Sequence, residues 1–427
     1  MFQQNINRIL VFLIFISIFV NSYVFAKEPA EIYIGYIAYI LLFPVFVPRF
    51  KIPSYLLIFF FFLFLFGIIN IVQGNNSSAQ FFKIFIGVFA SYLFYYYVVA
   101  QFEFDVERLF KIYLLGCYIV SLIGLFQLFS FRINFLEGYD YSWILNKWGL
   151  VPGGNFGIRV NSVFAEPTYF GACVSAGAFI SLYNIIMKQT YYLSKVQSVI
   201  ILIAYLLTFS GLAYIALFVA IIIFLINYGF VRYVLFFGPI LIVSFYYLYN
   251  NVPEFRERYD STTDVFETEK YEVGKTHGSS IVLYNNYKVA LKNFSTNFLF
   301  GTGLGSHPIA FEKYSLTKNI KTFGFANNSQ DANSMLLRLI SETGLFGTFF
   351  MLGLTFKCFV NRQRMPDAPD TFWIISGAIL TMIVVNLLRQ GHYFLNGFPF
   401  FIWLYYFNYV NAQKSKLGVV ANEMVTS

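Results

Sequence analysis

The chain alternates long apolar stretches with short polar loops along most of its 427 residues. Runs such as Ile58–Ile69 and Val199–Phe209 contain no charged residue. Apolar spans of about 20 residues match a hydrocarbon core about 30 Å thick, and inside lipid a helix satisfies its own backbone hydrogen bonds. The pattern therefore predicts an all-α polytopic membrane protein with about twelve transmembrane helices.

The predicted spans are joined by short loops, except after the fifth and the ninth span. They cover residues 8–26, 30–47, 53–73, 79–100, 109–130, 163–187, 194–209, 212–228, 232–250, 334–358, 372–389 and 393–411. Only Ser210 and Gly211 separate the seventh span from the eighth. We keep them as two spans because their combined length exceeds one crossing.

Three parts of the chain follow from this pattern. Residues 1–250 carry nine helices and an outer loop at 131–162, residues 251–333 form one large polar loop, and residues 334–427 carry the last three helices and a short tail. The large loop has acidic and basic residues in similar numbers, which argues against a nucleic-acid-binding arm.

Basic residues in the short loops predict the orientation, because Lys and Arg are retained on the cytoplasmic side. One side carries Arg49, Lys51, Arg108, Lys111, Lys188 and Lys195 among others, whereas short loops on the other side carry only Lys27 and Arg389. We therefore expect both termini in the cytoplasm and the large loop outside. The net charge of +8 mainly reflects this orientation rather than an anionic partner.

Composition excludes several classes of protein. With 58% hydrophobic and 12% charged residues, the chain cannot be an ordinary soluble domain. Cys117, Cys173 and Cys358 lie in or at the end of spans, so we expect neither a disulfide nor a metal site. We predict no cofactor.

Charged residues at span ends are the first candidates for chemistry, since a charge within lipid costs about 2.5 to 3.5 kcal/mol. Arg159 and Glu166 lie in RVNSVFAEPTYFG, where the outer loop enters the sixth span. Arginine suits phosphate because its planar fork contacts two oxygens and stays charged. Glu166 is a candidate general base or a group that orients an acceptor hydroxyl. Simple helix-end electrostatics before Pro167 is the alternative.

Two further pairs lie at the predicted outer boundary. Arg338 and Glu342 are spaced i, i+4 and share a helix face, so they either neutralise each other or present Arg338 to a lipid-linked diphosphate. Arg389 and His392 flank the outer end of the eleventh span, and Arg389 is a candidate substrate-binding residue.

The large loop contains a third set of candidates. Its GTGLGSHP segment is a weak phosphate-loop signal, and we expect a tight turn that brings His307 back towards the spans. His307 is a candidate base, with a purely structural role as the alternative. Asp331 and Asn333 precede the tenth span in a pattern that predicts its N-terminal cap.

These motifs together resemble the bacterial O-antigen polymerase and ligase superfamily. The resemblance rests on R-x-N-S-x-F-x-E-P-x-x-x-G from Arg159, G-x-G-x-G from Gly301, and N-x-x-L-x-x-L-x-x-E-x-G-x-x-G from Asn333. Within the superfamily, the chain is most similar to Wzy-type polymerases. Ligases typically carry His-Asn before the closing helix, with the histidine taken as catalytic, whereas Ala332 precedes Asn333 here.

The resemblance implies a GT-C-like glycosyltransferase of the bacterial inner membrane. It would join undecaprenyl-diphosphate-linked repeat units into O-antigen, capsular or exopolysaccharide at the periplasmic face. The lipid-linked glycan and the bilayer are then its partners, and a chain-length regulator and a flippase are further candidates. Glu166, Asp331 and His307 remain alternatives for the base, with Arg159, Arg338, Asn333 and Arg389 as candidate contacts to the diphosphate or the glycan.

Two other functions remain open at this point. An O-antigen ligase would transfer the glycan to a lipid A-core acceptor. A polytopic transporter or flippase would instead show repeated halves and short outer loops, which this sequence lacks.

Overall fold

A computed structural model describes most of the chain. The described residues are 2–26, 31–153, 157–229, 238–239, 242–243, 245–247, 249–251, 253–268, 278–316, 328–363 and 369–426. Lys27 and most of the predicted ninth span, 232–250, lie outside them.

Helices make up almost all regular structure in these ranges. They are α1 (Phe2–Phe19), α2 (Ile34–Phe46), α3 (Ser54–Val72), α4 (Ser78–Gln101), α5 (Val106–Arg132), α6 (Leu136–Tyr139), α7 (Pro167–Ile186), α8 (Lys195–Leu206), α9 (Gly211–Tyr228), α10 (Pro253–Thr268), α11 (Gly278–Thr296), α12 (His307–Tyr314), α13 (Met335–Lys357), α14 (Asp370–Arg389) and α15 (Phe398–Thr426). A 3-10 turn, Leu395–Gly397, precedes α15. Two short antiparallel strands, β1 (Val24–Ala26) and β2 (Ile32–Tyr33), pair Val24 with Tyr33.

The predicted fold class, an all-α polytopic membrane protein, is confirmed. Seven helices in the described ranges are long and apolar enough to cross a membrane: α3, α4, α5, α7, α9, α13 and α14. Three shorter apolar helices lie at Asn7–Phe19, Ile34–Phe46 and Lys195–Leu206. The total of twelve crossings stays a prediction.

The predicted end of the first span, at residue 26, is wrong. The helix ends at Phe19, and the next polar side chains bond to distant segments instead of continuing it. Asn21 donates from Nδ2 to Oδ1 of Asn396 at 2.5 Å, and Ser22 donates to the carbonyl of Val163. These bonds fix the residues after α1 against the turn before α15 and against the segment that leads into α7.

Two other boundaries also bear on the prediction. The seventh and eighth spans are separate helices, because the chain turns at Phe209, which has a positive φ of 44°. The last helix begins at Phe398 rather than near residue 393. A left-handed Asn396, with φ 53°, holds the chain in a turn before it.

The most buried of the long apolar helices is α7. In its apolar window 78% of residues are buried, compared with 28% in α3. Small residues allow neighbouring helices to approach closely. A Cβ on Gly171 would lie 3.4 Å from the Cβ of Ala213, and one on Gly177 would lie 3.0 Å from Cys117. This central helix carries Glu166 at its start.

The helices around α7 share one end of the bundle, which we call the site end. At the opposite end, the amide of Arg362 donates to Oδ1 of Asn227 near the end of α9, and Tyr183 near the end of α7 packs edge-on against Trp373 at the start of α14. The site end therefore holds the beginnings of α7, α9 and α13 and the last turn of α14. Ser334 confirms this arrangement by donating its hydroxyl to the carbonyl of Leu387 at 2.9 Å.

Candidate functional site

The glycine loop, which we define as residues 298–307, pairs with the middle of α13. The amide of Gly303 donates to the carbonyl of Glu342 at 2.8 Å, and the amide of Leu345 donates to the carbonyl of Phe298 at 2.9 Å. The predicted turn thus does bring the loop back to a span, but through backbone pairing with that span.

Glycine is needed on both sides of this pairing. Gly344 interrupts α13 with φ 59° and ψ −149°, and Gly301 also has a positive φ of 63°. A Cβ on Gly301 would lie 2.4 Å from the carbonyl carbon of Glu342, and a Cβ on Gly344 would lie 2.6 Å from the amide nitrogen of Gly301. The glycines therefore permit close approach of two backbones. Gly344 suggests such an approach already in the sequence, but its partner is the glycine loop and not a second helix.

Arg338 is enclosed at this junction, with 3% of its surface exposed. Its Nε donates to Oε1 of Glu342 at 2.9 Å and its Nη1 donates to the carbonyl of Gly391 at 2.8 Å. The guanidinium also stacks over the ring of Tyr393, 4.5 Å from the ring centroid. This geometry favours the mutual-neutralisation alternative for Arg338 over contact with a diphosphate.

Glu342 completes what we call the buried network, formed by Arg338, Glu342 and Tyr393. Its carboxylate is fully buried and accepts four hydrogen bonds, one of them from Arg338. The others come from the amide of Gly305 at 2.8 Å, the amide of His307 at 3.3 Å and the hydroxyl of Tyr393 at 2.9 Å. One carboxylate thus joins α13, the glycine loop and the segment after α14.

His307 lies behind this network and is fully buried. Its Nε2 lies 3.0 Å from Oδ1 of Asn286, and its Nδ1 has no hydrogen-bond partner among the described residues. Burial, followed by the nearby charge of Arg338, lowers the pKa of His307 to about 3. A buried imidazole of such low basicity fits the structural alternative better than the role of general base.

Asp331 lies in the turn before α13, where Ala332 and Asn333 both have positive φ. One oxygen, Oδ1, accepts from the amide of Asn333 at 3.0 Å and from the side chain of Asn328 at 3.2 Å. The other, Oδ2, lies 3.2 Å from Nε2 of His392. Burial alone would raise the pKa of Asp331, but the hydrogen bond and charge of His392 outweigh it and lower the pKa.

The predicted cap of this helix is wrong in its residues. The N-cap is Ser334, whose hydroxyl accepts from the amide of Leu337 at 3.3 Å. The backbone of Asp331 instead lies directly against the segment after α14. A Cβ on Gly391 would lie 1.7 Å from the carbonyl oxygen of Asp331, so only glycine fits there.

Arg159 and Glu166 lie at the opening of the same end. Arg159 is half-buried and donates from Nε to the carbonyl of Thr208 at 2.9 Å, in the turn between α8 and α9. Glu166 occupies the N-cap position of α7, but its exposed side chain makes no capping hydrogen bond within the described part of the chain. Enough protein surrounds this carboxylate that burial raises its pKa, an effect that Arg159 and then Lys147 oppose.

Electrostatic interactions connect the predicted residues across the site end. Glu166 interacts with Arg159 and with Asp331, and Asp331 interacts in turn with Arg338. Arg389 is half-buried at the last position of α14. We call the cluster formed by Arg159, Glu166, Asp331 and His392 the rim. Asp331 is buried, and the other three side chains are partly or largely exposed.

Several residues of this site were not among the candidates from sequence. Lys147 donates from Nζ to Glu31 at 2.6 Å and to the hydroxyl of Tyr33 at 2.9 Å. The signal of Lys147, Glu31 and Tyr33 is weak, because they come from the outer loop and from the segment at β2, and none of them belongs to a motif. Tyr393 had a better signal, because it directly follows His392 in the run LLRQGHYF, where the sequence already singled out Arg389 and His392 as a pair.

Comparison with known families agrees with the resemblance drawn from the motifs. Residues 197–352 match the family model described as O-antigen ligase, and a search of curated proteins finds no match. The matched range includes the glycine loop, Asp331 and the buried network except Tyr393, and it leaves Arg159, Glu166 and Arg389 outside. The resemblance to the O-antigen polymerase and ligase superfamily is thereby confirmed for this segment, which is less than half of the chain.

Proposed function

We propose that this protein is a glycosyltransferase that polymerises undecaprenyl-diphosphate-linked repeat units at the periplasmic face of the bacterial inner membrane. The observation that carries the proposal is the rim. Four ionisable side chains from the segments before α7, before α13 and after α14 meet at one end of a helical bundle. Three of the four, Arg159, Glu166 and His392, are partly or largely exposed, so a ligand can reach them.

A lipid-linked diphosphate suits the basic residues at this end. Arg159 is half-buried beside the turn that joins α8 and α9, and Arg389 is half-buried at the end of α14. An arginine fork can bind two phosphate oxygens and neutralise the charge that develops as the diphosphate departs. Arg338 is already enclosed by Glu342 and Tyr393, so we assign it to holding the glycine loop.

The reaction is a displacement at the anomeric carbon of the donor sugar. A hydroxyl oxygen of the acceptor glycan forms the new bond, and the bond from that carbon to the diphosphate oxygen breaks. The electron pair leaves with the lipid diphosphate, whose charge Arg159 and Arg389 stabilise. Glu166, exposed beside Arg159, accepts a hydrogen bond from a second hydroxyl of the acceptor sugar and so orients the attacking one.

Polymerase and ligase share this donor chemistry and differ in the acceptor. The family description favours a ligase, whereas Ala332 stands where ligases typically carry histidine. We favour the polymerase because Ala332, and not a histidine, precedes Asn333.

A deletion strain tests the proposal and separates the alternatives. Loss of a polymerase leaves single repeat units on the final acceptor, loss of a ligase leaves none, and loss of a flippase retains lipid-linked units on the cytoplasmic side. The purified protein in nanodiscs should also convert lipid-linked repeat units into a ladder of longer products. A deletion strain that still makes long polymer would refute the proposal.

A further inference from the structure

We propose that His392 takes the proton of the acceptor hydroxyl, and that Asp331 holds it for this task. The inference rests on the proposed function, because it assigns a step of that reaction. It starts from the contact between the two side chains, in which Nε2 of His392 lies 3.2 Å from Oδ2 of Asp331.

Asp331 is fixed as an orienting group should be. Its Oδ1 is held by the amide of Asn333 and the side chain of Asn328, so Oδ2 is left to face the imidazole. With 12% of its side chain exposed, the carboxylate has little freedom to turn away. A carboxylate in this position selects the tautomer with the proton on Nε2 and stabilises the imidazolium that forms on proton uptake.

His392 is placed to receive a proton on its other nitrogen. A third of its side chain is exposed, and no hydrogen bond to Nδ1 is present among the described residues. By contrast, His307 is fully enclosed. Of these two histidines, His392 is the one that an acceptor sugar can reach.

The surrounding charges also separate His392 from Glu166. A proton acceptor works best where its neighbours stabilise the protonated form. His392 interacts with two carboxylates, Asp331 and Glu31, whereas the cations Arg159 and Lys147 act on Glu166. Charged and titratable groups near the pair also include Arg338 behind Asp331, Lys147 bonded to Glu31, and Tyr169 beside both Asp331 and Glu166.

In the proposed step, the proton passes from the acceptor hydroxyl to Nδ1 of His392 as the oxygen bonds to the anomeric carbon. The electron pair of the broken bond leaves on the lipid diphosphate, so charge and atoms balance. His392 then returns the proton to water before the next addition.

The test uses the full-length protein in nanodiscs with lipid-diphosphate-linked repeat units purified from a strain that lacks this protein. We expect His392→Ala to slow elongation by about 100-fold to 10,000-fold, as for loss of a general base. Added imidazole should raise the elongation rate of His392→Ala at least about tenfold, since a small base can occupy the vacated space. The same imidazole added to Glu166→Gln should restore nothing, which provides the matched control.

A second variant keeps the test decisive if His392→Ala folds poorly. His392→Gln can still donate to Asp331 but cannot accept a proton, so it should fold normally and remain as slow as the alanine variant.

The outcomes are distinct from a failure of the proposed function. If the native protein does not elongate the lipid-linked units, the proposed function fails. If the native protein elongates them while a folded His392→Gln keeps a rate within a few-fold of native, the assignment of His392 is overturned. Recovery of Glu166→Gln by added imidazole would then identify Glu166 as the proton acceptor, since loss of activity alone is also expected from its role in orienting the acceptor.

Discussion

The buried network and the rim both contain an arginine and a glutamate at the same end of the bundle, yet they differ in how exposed these side chains are. In the buried network, Arg338 and Glu342 are bonded to each other and to the glycine loop, and neither is exposed. In the rim, Arg159 is half-buried and Glu166 is exposed. The same pair of residue types therefore stabilises structure where it is enclosed and remains partly accessible to solvent where it is not.

The largest effect should come from breaking the buried network. Glu342→Ala removes the partner of Arg338 and leaves the amides of Gly305 and His307 without their acceptor. An uncompensated buried charge costs about 3 to 5 kcal/mol, so the variant should unfold at a much lower temperature in detergent. Thermal unfolding followed by tryptophan fluorescence measures this loss.

An exposed pair at the opposite end of the bundle provides the control. Glu107 and Lys111 have the same i, i+4 spacing at 2.8 Å, with about half of each side chain exposed. Glu107→Ala should change stability by only about 0.5 kcal/mol or less. Equal losses in the two variants would remove the distinction between an enclosed and an exposed pair.

The second prediction concerns the rim. Arg159→Ala should lower elongation by about 100-fold to 1000-fold, as when one stabilising group of a developing charge is removed. Arg159→Lys should restore only part of the rate, since an ammonium contacts phosphate as a single point. Elongation of lipid-linked repeat units in nanodiscs provides the measurement.

Arg132 is the matched control for Arg159. It is an exposed arginine at the last position of α5. Arg132→Ala should retain native activity, and a loss as large as that of Arg159→Ala would mean that any cation at this surface serves.

The third prediction separates the two regions by pH. His307 is neutral when folded, with a pKa of about 3 against an ordinary value of 6.5. Below pH 6.5 the unfolded chain binds a proton that the folded chain does not, so stability falls as pH falls. Between pH 7 and pH 5 the loss should be about 2 kcal/mol.

Asp331 acts in a different pH window. Its lowered pKa contributes stability above its ordinary value of 3.8, and this contribution is lost only at more acidic pH. His307→Gln should therefore flatten the loss between pH 7 and pH 5, measured by thermal unfolding, while Asp331→Asn should not. An unchanged slope in His307→Gln would contradict the burial of His307 as a neutral group.

The helices and the charged residues at their ends could be predicted from the sequence, but the contacts between those ends could not. Apolar length sets the spans, so seven long helices lie close to the predicted bounds. The role of Glu342 depends on amides of the glycine loop, which lie 35 and 37 residues away in sequence. Local patterns carry no signal for such contacts. The break at Gly344 is equally hidden, because a glycine in an apolar helix is common.

The enclosure of Arg338 could not be inferred for the same reason. Its i, i+4 partner is visible in the sequence, but the carbonyl of Gly391 and the ring of Tyr393 come from a segment beyond the next helix. Without them, an arginine near the membrane boundary is equally consistent with a diphosphate contact. Tertiary contacts alone decide between the two alternatives.

The smallest expected effect concerns Lys147, which lies beside the rim. It bonds to Glu31 at 2.6 Å, but 37% of its side chain and 45% of that of Glu31 are exposed, so the pair contributes about 1 kcal/mol or less to stability. Lys147→Met should nevertheless affect activity, because Lys147 opposes the rise in the pKa of Glu166. Removing it raises that pKa further, so the acidic limb of the rate should move towards higher pH while the rate near pH 8 changes little. The pH dependence of elongation measures this shift, and a loss at pH 8 as large as that of Arg159→Ala would show that Lys147 itself contacts the diphosphate.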